Sequence, residues 1–191
     1  IVGSGGVLSH APRREQSAKM LIDSFLPEGI TSLAVDSIFM MPQLGVMANI
    51  DKKSIAEEAR VAALEVFEKD CLIRLGTCVA PVGSMSKSEV PLKINLEFKN
   101  GEKKSINLQS GELIRIEVGY EEVKAELIPA KGINVGAGKG EKIDTIIFGG
   151  QVGLIFDGRG RPLDVGSGPS ERISNLKKWA SALNEYPELK E

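Results

Sequence analysis

The sequence predicts an α/β segment followed by an all-β module and one terminal helix. Three observations carry this fold class. A strand–glycine–helix pattern opens the chain, the apolar period changes from helical to alternating near Asp70, and a helical period returns after Pro169. The expected domain organisation is 1–70, 71–168 and 169–191. Several short strands separated by glycine-bearing turns make the middle segment read as a small antiparallel barrel or sandwich.

The first segment is organised around its opening residues. Ile1 and Val2 run into Gly3, Ser4, Gly5 and Gly6, and a helical pattern follows. Glycines at such a turn allow positive φ and close approach of a ligand to the backbone. Unpaired N–H groups at the start of the next helix favour phosphate, so the stretch reads as a nucleotide loop or as a plain βα turn. Pro12 suits the first helical turn, where its missing N–H costs nothing. Ala18, Leu21, Ile22 and Phe25 keep helical spacing, and Pro27-Glu28-Gly29 stops the helix. Ile30, Leu33 and Val35 mark an extended segment ending at Asp36. Pro42 opens a short buried helix in which Gly45 lets something come close to the backbone. Ser54 and Glu57 form a capping box for a helix that buries Ile55, Ala59, Ala62, Val66 and Phe67.

In the second segment Leu92, Ile94, Leu96 and Phe98 alternate with Lys93, Asn95, Glu97 and Lys99, the pattern of a half-buried strand. Asn100-Gly101 then signals a hairpin whose return strand holds Ile106 and Leu108. Further strands are expected at 113–118, 123–128, 143–148 and 152–157. In the terminal helix Ile173, Leu176, Ala180 and Leu183 form the apolar face, with Ser170 as its cap.

Composition excludes several classes of function. A net charge of −2 supplies no electrostatic footprint for nucleic acid. No apolar stretch reaches the roughly 20 residues that span a bilayer, so neither membrane nor nucleic acid is expected as a partner. Two cysteines, Cys71 and Cys78, are too few for a disulfide framework and read as reduced, buried thiols of a cytoplasmic protein. A start at Ile1, inside a strand and without a preceding partner strand, reads as a fragment of a longer protein.

The remaining motifs are turns with charge on them. Residues 136–140 resemble a P-loop, but Gly140 stands where Ser or Thr should follow Lys139. That segment reads as a turn presenting Lys139 to an anionic partner. Arg159 and Arg161 follow Asp157 on a second turn; guanidiniums there suit a carboxylate or phosphate of a partner, or pair with Asp157 itself. His10 has no nucleophile or carboxylate pair near it in sequence and reads as structural. No hydrolase elbow and no metal-ligand cluster stands out, so no catalytic residue and no metal ligand is assigned.

Taken together, Gly3 to Pro12, Pro27 to Thr31, Met40 to Val46, Phe67 to Leu72, Leu75 to Thr77, Ala80 to Gly83 and the segment 149–162 resemble the C-terminal part of the MutL/GlmL family. These are accessory proteins of adenosylcobalamin-dependent glutamate mutase, in the superfamily of actin, sugar kinases and heat-shock chaperones. The resemblance implies the C-terminal part of an actin-like ATPase domain, in which Gly3, Ser4, Gly5 and Gly6 pack against the adenosine of ATP. Pro42 and Gly45 match the helix that closes the domain behind the nucleotide. Magnesium ligands and the first phosphate-binding hairpin belong to the N-terminal half of such proteins, so ATPase activity is expected only of the full-length protein. The implied function is an ATP-dependent, chaperone-like reactivase whose partners are mutase subunits, with the all-β module as the surface that touches them. A small-molecule kinase of the same superfamily and a non-enzymatic binding module are the alternatives.

Overall fold

A computed structural model describes residues 1–49, 56–83 and 90–186. Val2–Gly3 forms β1, a single helical turn Gly6–Ser9 forms α1, and Arg14–Phe25 forms α2. The helix expected from Pro12 therefore starts two residues later. The reason is local: the Arg13 backbone N–H donates to Gln16 Oε1 at 3.3 Å, and this capping box sets the first turn. Ala18, Leu21 and Ile22 are buried as expected, but Phe25 in the last turn is exposed. Leu26 ends the helix in the left-handed conformation, at φ 46°. Gly29–Asp36 forms β2, Met41–Ala48 forms α3, and Ala56–Val66 forms α4, which runs into a π-helical turn at Phe67–Cys71. Ser54 and Ile55 of the expected helix start lie outside the described residues. The inward face of α4 also differs from expectation, because Ala63 is buried while Val66 is exposed.

The strands after Cys71 are β3 (Leu72–Ala80), β4 (Leu92–Glu97), β5 (Lys103–Leu108), β6 (Leu113–Ile116), β7 (Glu122–Pro129), β8 (Ile143–Phe148) and β9 (Gly153–Asp157), followed by α5 (Pro169–Leu183). The hairpin signal holds: Gly101 takes φ 83° and donates its N–H to the Phe98 carbonyl at 2.9 Å between β4 and β5. The strands form two open sheets, ordered β1-β2-β3-β9-β6 and β5-β4-β7-β8. Neither closes into a barrel, so the sandwich alternative describes how they stack. The first sheet is mixed, with β1–β2 and β3–β9 parallel, and the second is antiparallel throughout. Asp70 marks the change from helix to strand, yet one sheet takes β1 and β2 from before it and β3, β6 and β9 from after it.

The layers follow from which faces are apolar. One face of the first sheet, through Leu33, Val35, Cys78 and Ile155, packs on Leu21 and Ile22 of α2 and on Trp179 and Leu183 of α5. Its other face, through Val79, Leu154 and Phe156, meets Ile94, Leu96, Val123, Leu127 and Ile147 of the second sheet. Each fully buried side chain of this size contributes about 1.5–3 kcal/mol. β3 runs through the middle with Leu75 to Ala80 all buried, which is why its sequence shows no alternation. Thr77 ties the two sheets together: its hydroxyl donates to the Phe148 carbonyl at 2.8 Å and accepts the Phe148 N–H at 3.1 Å. In α5 the buried residues are Trp179 and Leu183, whereas Ile173 and Leu176 are exposed. Its N-cap is Gly168, with Pro169 in the first turn, which corrects the expected cap at Ser170.

Close backbone packing between β3 and β9 demands a glycine at position 76. Its φ is 134°, and a Cβ there would stand 1.8 Å from the Gly153 carbonyl oxygen. Gly76→Ala is expected to lower stability in urea unfolding by about 3 kcal/mol or more. Gly119→Ala, where a Cβ would meet nothing within 4 Å, is the control and should stay within roughly 0.5 kcal/mol.

Candidate functional site

The glycine loop Gly3 to Gly6 and the start of α3, the helix that holds Pro42 and Gly45, are joined by one carboxylate. Asp36, at the end of β2, is buried. Its Oδ1 accepts the Met40 N–H at 3.1 Å, and its Oδ2 accepts the Met41 N–H at 2.8 Å and the Ser4 hydroxyl at 3.1 Å. Ser9 of α1 donates its hydroxyl to the Asp36 carbonyl. Asp36 thus caps α3 and holds the glycine loop beside it. Burial pushes the Asp36 carboxyl up, but the N–H donors of Met41 and Met40 and the Ser4 hydroxyl outweigh that, and it lies below the usual aspartate range.

The glycines of the loop divide by what surrounds them. Gly3 is buried, and a Cβ there would come within 2.7 Å of Leu8 and 2.8 Å of Leu21, so packing under α2 explains it. Gly5 turns the chain at φ 110°. At Gly5, Gly6 and Gly45 a Cβ would meet nothing within 4 Å, so at Gly6 and Gly45, whose φ is ordinary, nothing in the chain requires a glycine. Open backbone at these positions lets a flat or bulky group approach. Pro42 is exposed in the first turn of α3. His10 lies on the surface with Nδ1 3.2 Å from the Gly6 carbonyl oxygen, on the rim of the same loop.

The electrostatics of this place favour an uncharged moiety over phosphate. Asp36 takes the Met40 and Met41 N–H groups at the head of α3, Pro42 has none, and α1 has only four residues to carry a dipole. An anion placed here would face a buried carboxylate. Both oxygens of that carboxylate already accept donors, which leaves it poorly suited to a magnesium ion. Among the described residues no group of three His, Cys, Asp or Glu side chains is arranged to hold a metal. The sequence drew attention to the glycines and missed Asp36. Its signal was an acid at the end of an apolar strand, five residues before the first residue of a helix.

The second cluster expected to meet a partner is turned inward. Arg159 has a fully buried side chain, with Nε at 2.9 Å and Nη2 at 2.8 Å from the two oxygens of the equally buried Asp157. Its Nη1 lies 2.8 Å from Asp23 of α2, and its guanidinium stacks 5.0 Å from the centroid of the Trp179 ring. Arg161 is nearly as buried; it donates to Asp157 at 3.0 Å and to the Pro27 carbonyl at 3.0 Å. Both arginines are therefore internal braces: of the two readings, pairing with Asp157 holds, and the role as partner contacts is corrected because the side chains are buried. Burial raises the Asp157 carboxyl, but the hydrogen bonds and charge of Arg159, with the charge of Arg161, hold it below the usual range. Lys139 is exposed on its glycine-rich turn, where Asn134 Oδ1 accepts the N–H groups of Gly136 and Gly138. Cys71 and Cys78 are buried free thiols, and burial raises both above the usual thiol range.

Removing one partner of a buried charge network leaves the others uncompensated. Arg159→Ala is expected to cost about 3–5 kcal/mol in urea unfolding. The lowered carboxyls of Asp36 and Asp157 give a pH dependence of definite sign. Their contribution is complete above the ordinary aspartate value near pH 4 and is lost as pH falls through the lower folded-state value. Asp36→Asn should therefore flatten the acid limb of a plot of unfolding free energy against pH.

No curated protein and no solved structure matches the chain. The family comparison does match, over the part that holds Asp36 and the glycine loop. Residues 1–70 fit the family model described as MutL protein, so this part of the chain, with its glycine cluster and Met40–Val46 stretch, is similar to that family.

Proposed function

We propose that this chain is part of an ATP-dependent accessory protein that reactivates an adenosylcobalamin-dependent mutase of the glutamate mutase type. The observation that carries the reading is that Asp36 ties Ser4 of the glycine loop to Met40 and Met41 at the head of α3, within the segment that fits the MutL family. In this reading Gly3 to Gly6 and Pro42 to Gly45 form the adenosine side of an ATP site. The phosphates and magnesium lie away from Asp36, held by groups outside residues 1–191. ATP, when bound, supplies the differential affinity that shifts the protein between two conformations, one of which opens a stalled mutase and lets damaged cofactor leave. The outer face of β5-β4-β7-β8, with Ile146 and Phe148 exposed and Lys139 on a neighbouring loop, is the proposed mutase contact.

A small-molecule kinase fits less well. Such an enzyme needs a free carboxylate as base, and both oxygens of Asp36 are engaged by donors.

Two measurements test the proposal. In the full-length protein ATP should raise the melting temperature, and Gly6→Val and Gly45→Val should abolish that rise while leaving the nucleotide-free melting temperature close to wild type. In the full-length protein, ATP should release cobalamin from a mutase inactivated with hydroxocobalamin. Nucleotide binding without release would remove the reactivase reading, and absence of any nucleotide effect would remove the ATP site.

A further inference from the structure

The register of the first sheet puts one charged side chain into an apolar row. Val2 of β1 pairs with Ala34 of β2, and Ala34 pairs with Arg74 of β3, so the three stand side by side on one face. Leu33, Val35 and Ile73 point to the other face, under α2. The second sheet covers the Arg74 side farther along, at Val79, Leu154 and Phe156, and β8 ends at Phe148. At this corner a cavity of about 310 Å³ remains, lined among others by Ile1, Val2, Ala34, Leu72, Arg74 and Phe148.

Its walls are fixed backbone. Both the N–H and the carbonyl of Phe148 are held by the Thr77 hydroxyl. Gly149, also in the lining, has no room for a Cβ, which would stand 2.0 Å from the Gly119 carbonyl oxygen. The Arg74 carbonyl accepts the Gln151 N–H at 3.0 Å. A preformed, mostly apolar cavity with one charged group is the usual make-up of a small-molecule site, and this one is at the lower end of the usual size range of about 300–1,000 Å³.

Arg74 differs from the other arginines. Arg13, Arg60, Arg115, Arg159 and Arg161 pair with carboxylates, and Arg14 and Arg172 donate to main-chain carbonyls. The Arg74 side chain makes no hydrogen bond or ion pair among the described residues, and no acid lines the cavity. Around it Ile1, Val2 and Phe148 are 38%, 44% and 50% exposed. An unpaired guanidinium thus sits in apolar surface that water reaches.

We propose that this cavity binds a small monocarboxylate with an apolar body. Arg74 takes the carboxylate, for which its planar fork is suited, and Val2, Ala34, Leu72 and Phe148 take the body. A single cation in the lining matches a single negative charge. The site is independent of the proposed nucleotide loop, because a side chain on Gly3 would point the other way, at Leu8 and Leu21.

The test is saturation-transfer NMR on the full-length protein. Benzoate and hexanoate are the probes, and benzamide and hexanamide are their uncharged counterparts of the same shape. The carboxylates should bind saturably, and the amides at least about tenfold more weakly. Arg74→Gln should weaken carboxylate binding by a similar factor. Arg74→Lys should weaken it less, because the charge stays while the fork is lost. Arg74 is exposed, so both variants should keep the wild-type melting temperature. Gly6→Val should leave carboxylate binding unchanged. Absence of saturable binding by either carboxylate overturns the proposal. So does binding that the amides or the Arg74→Gln protein match, and so does loss of binding in Gly6→Val.

Discussion

The fold depends on a buried charge network at the end of β9. Asp157 lies in the interior with no access to water, and two guanidiniums, Arg159 and Arg161, satisfy it. Burying such charges is costly unless geometry and hydrogen bonding are nearly complete. Here the same groups reach outward to α2 through Asp23, to the loop before β2 through the Pro27 carbonyl, and to α5 through the Trp179 ring. Trp179 in turn donates its indole N–H to the Gly111 carbonyl at 2.9 Å, next to β6. One strand end thereby holds together elements drawn from the first, middle and last parts of the chain.

That network explains why the helical layer and the first sheet behave as one unit. α2 is near the start of the sequence and α5 near its end, yet both cover the same face of β2, β3 and β9. A second buried pair reinforces this. Arg115 of β6 lies 3.2 Å from Glu15 of α2 and donates to the carbonyls of Val152 and Leu183, so the far edge of the sheet is tied to both helices. The second sheet is added between β3 and β9 in sequence, and its apolar face covers the side of the first sheet that the helices leave bare. An insertion of this kind needs glycines where backbones approach: Gly76 and Gly150 supply them between β3 and the segment that leads into β9, and Gly153 supplies one between β9 and the end of β6.

Asp36 does for the proposed ligand site what Asp157 does for the fold, on a smaller scale. It is a buried anion satisfied by backbone donors, and its position decides which loops are neighbours. By occupying the head of α3 it turns a helix terminus away from anion binding. In the proposed ATP site, the open glycines of the neighbouring loop would take the uncharged end of the nucleotide.

The sequence by itself determined most of the local structure. Helical spacing placed α2 and α5 to within a few residues, Asn100-Gly101 placed the β4–β5 hairpin, and period-two alternation placed β4. These signals are short-range, because they come from capping, turn geometry and one-sided burial. It also resembled the MutL family over most of its length, and the family model matches over residues 1–70. Only the tertiary structure decided the rest. β3 escaped because a strand buried on both faces has no alternation to read. The exposed sides of α4 and α5 were assigned inward because an amphipathic pattern shows that a face is apolar, not what covers it. For Arg159 and Arg161 the sequence left contact with a partner and pairing with Asp157 both open, because it shows a charge but not its depth. Asp36 became the centre of the candidate site only when β2 carried it beside the glycine loop, 32 residues away in sequence from Ser4.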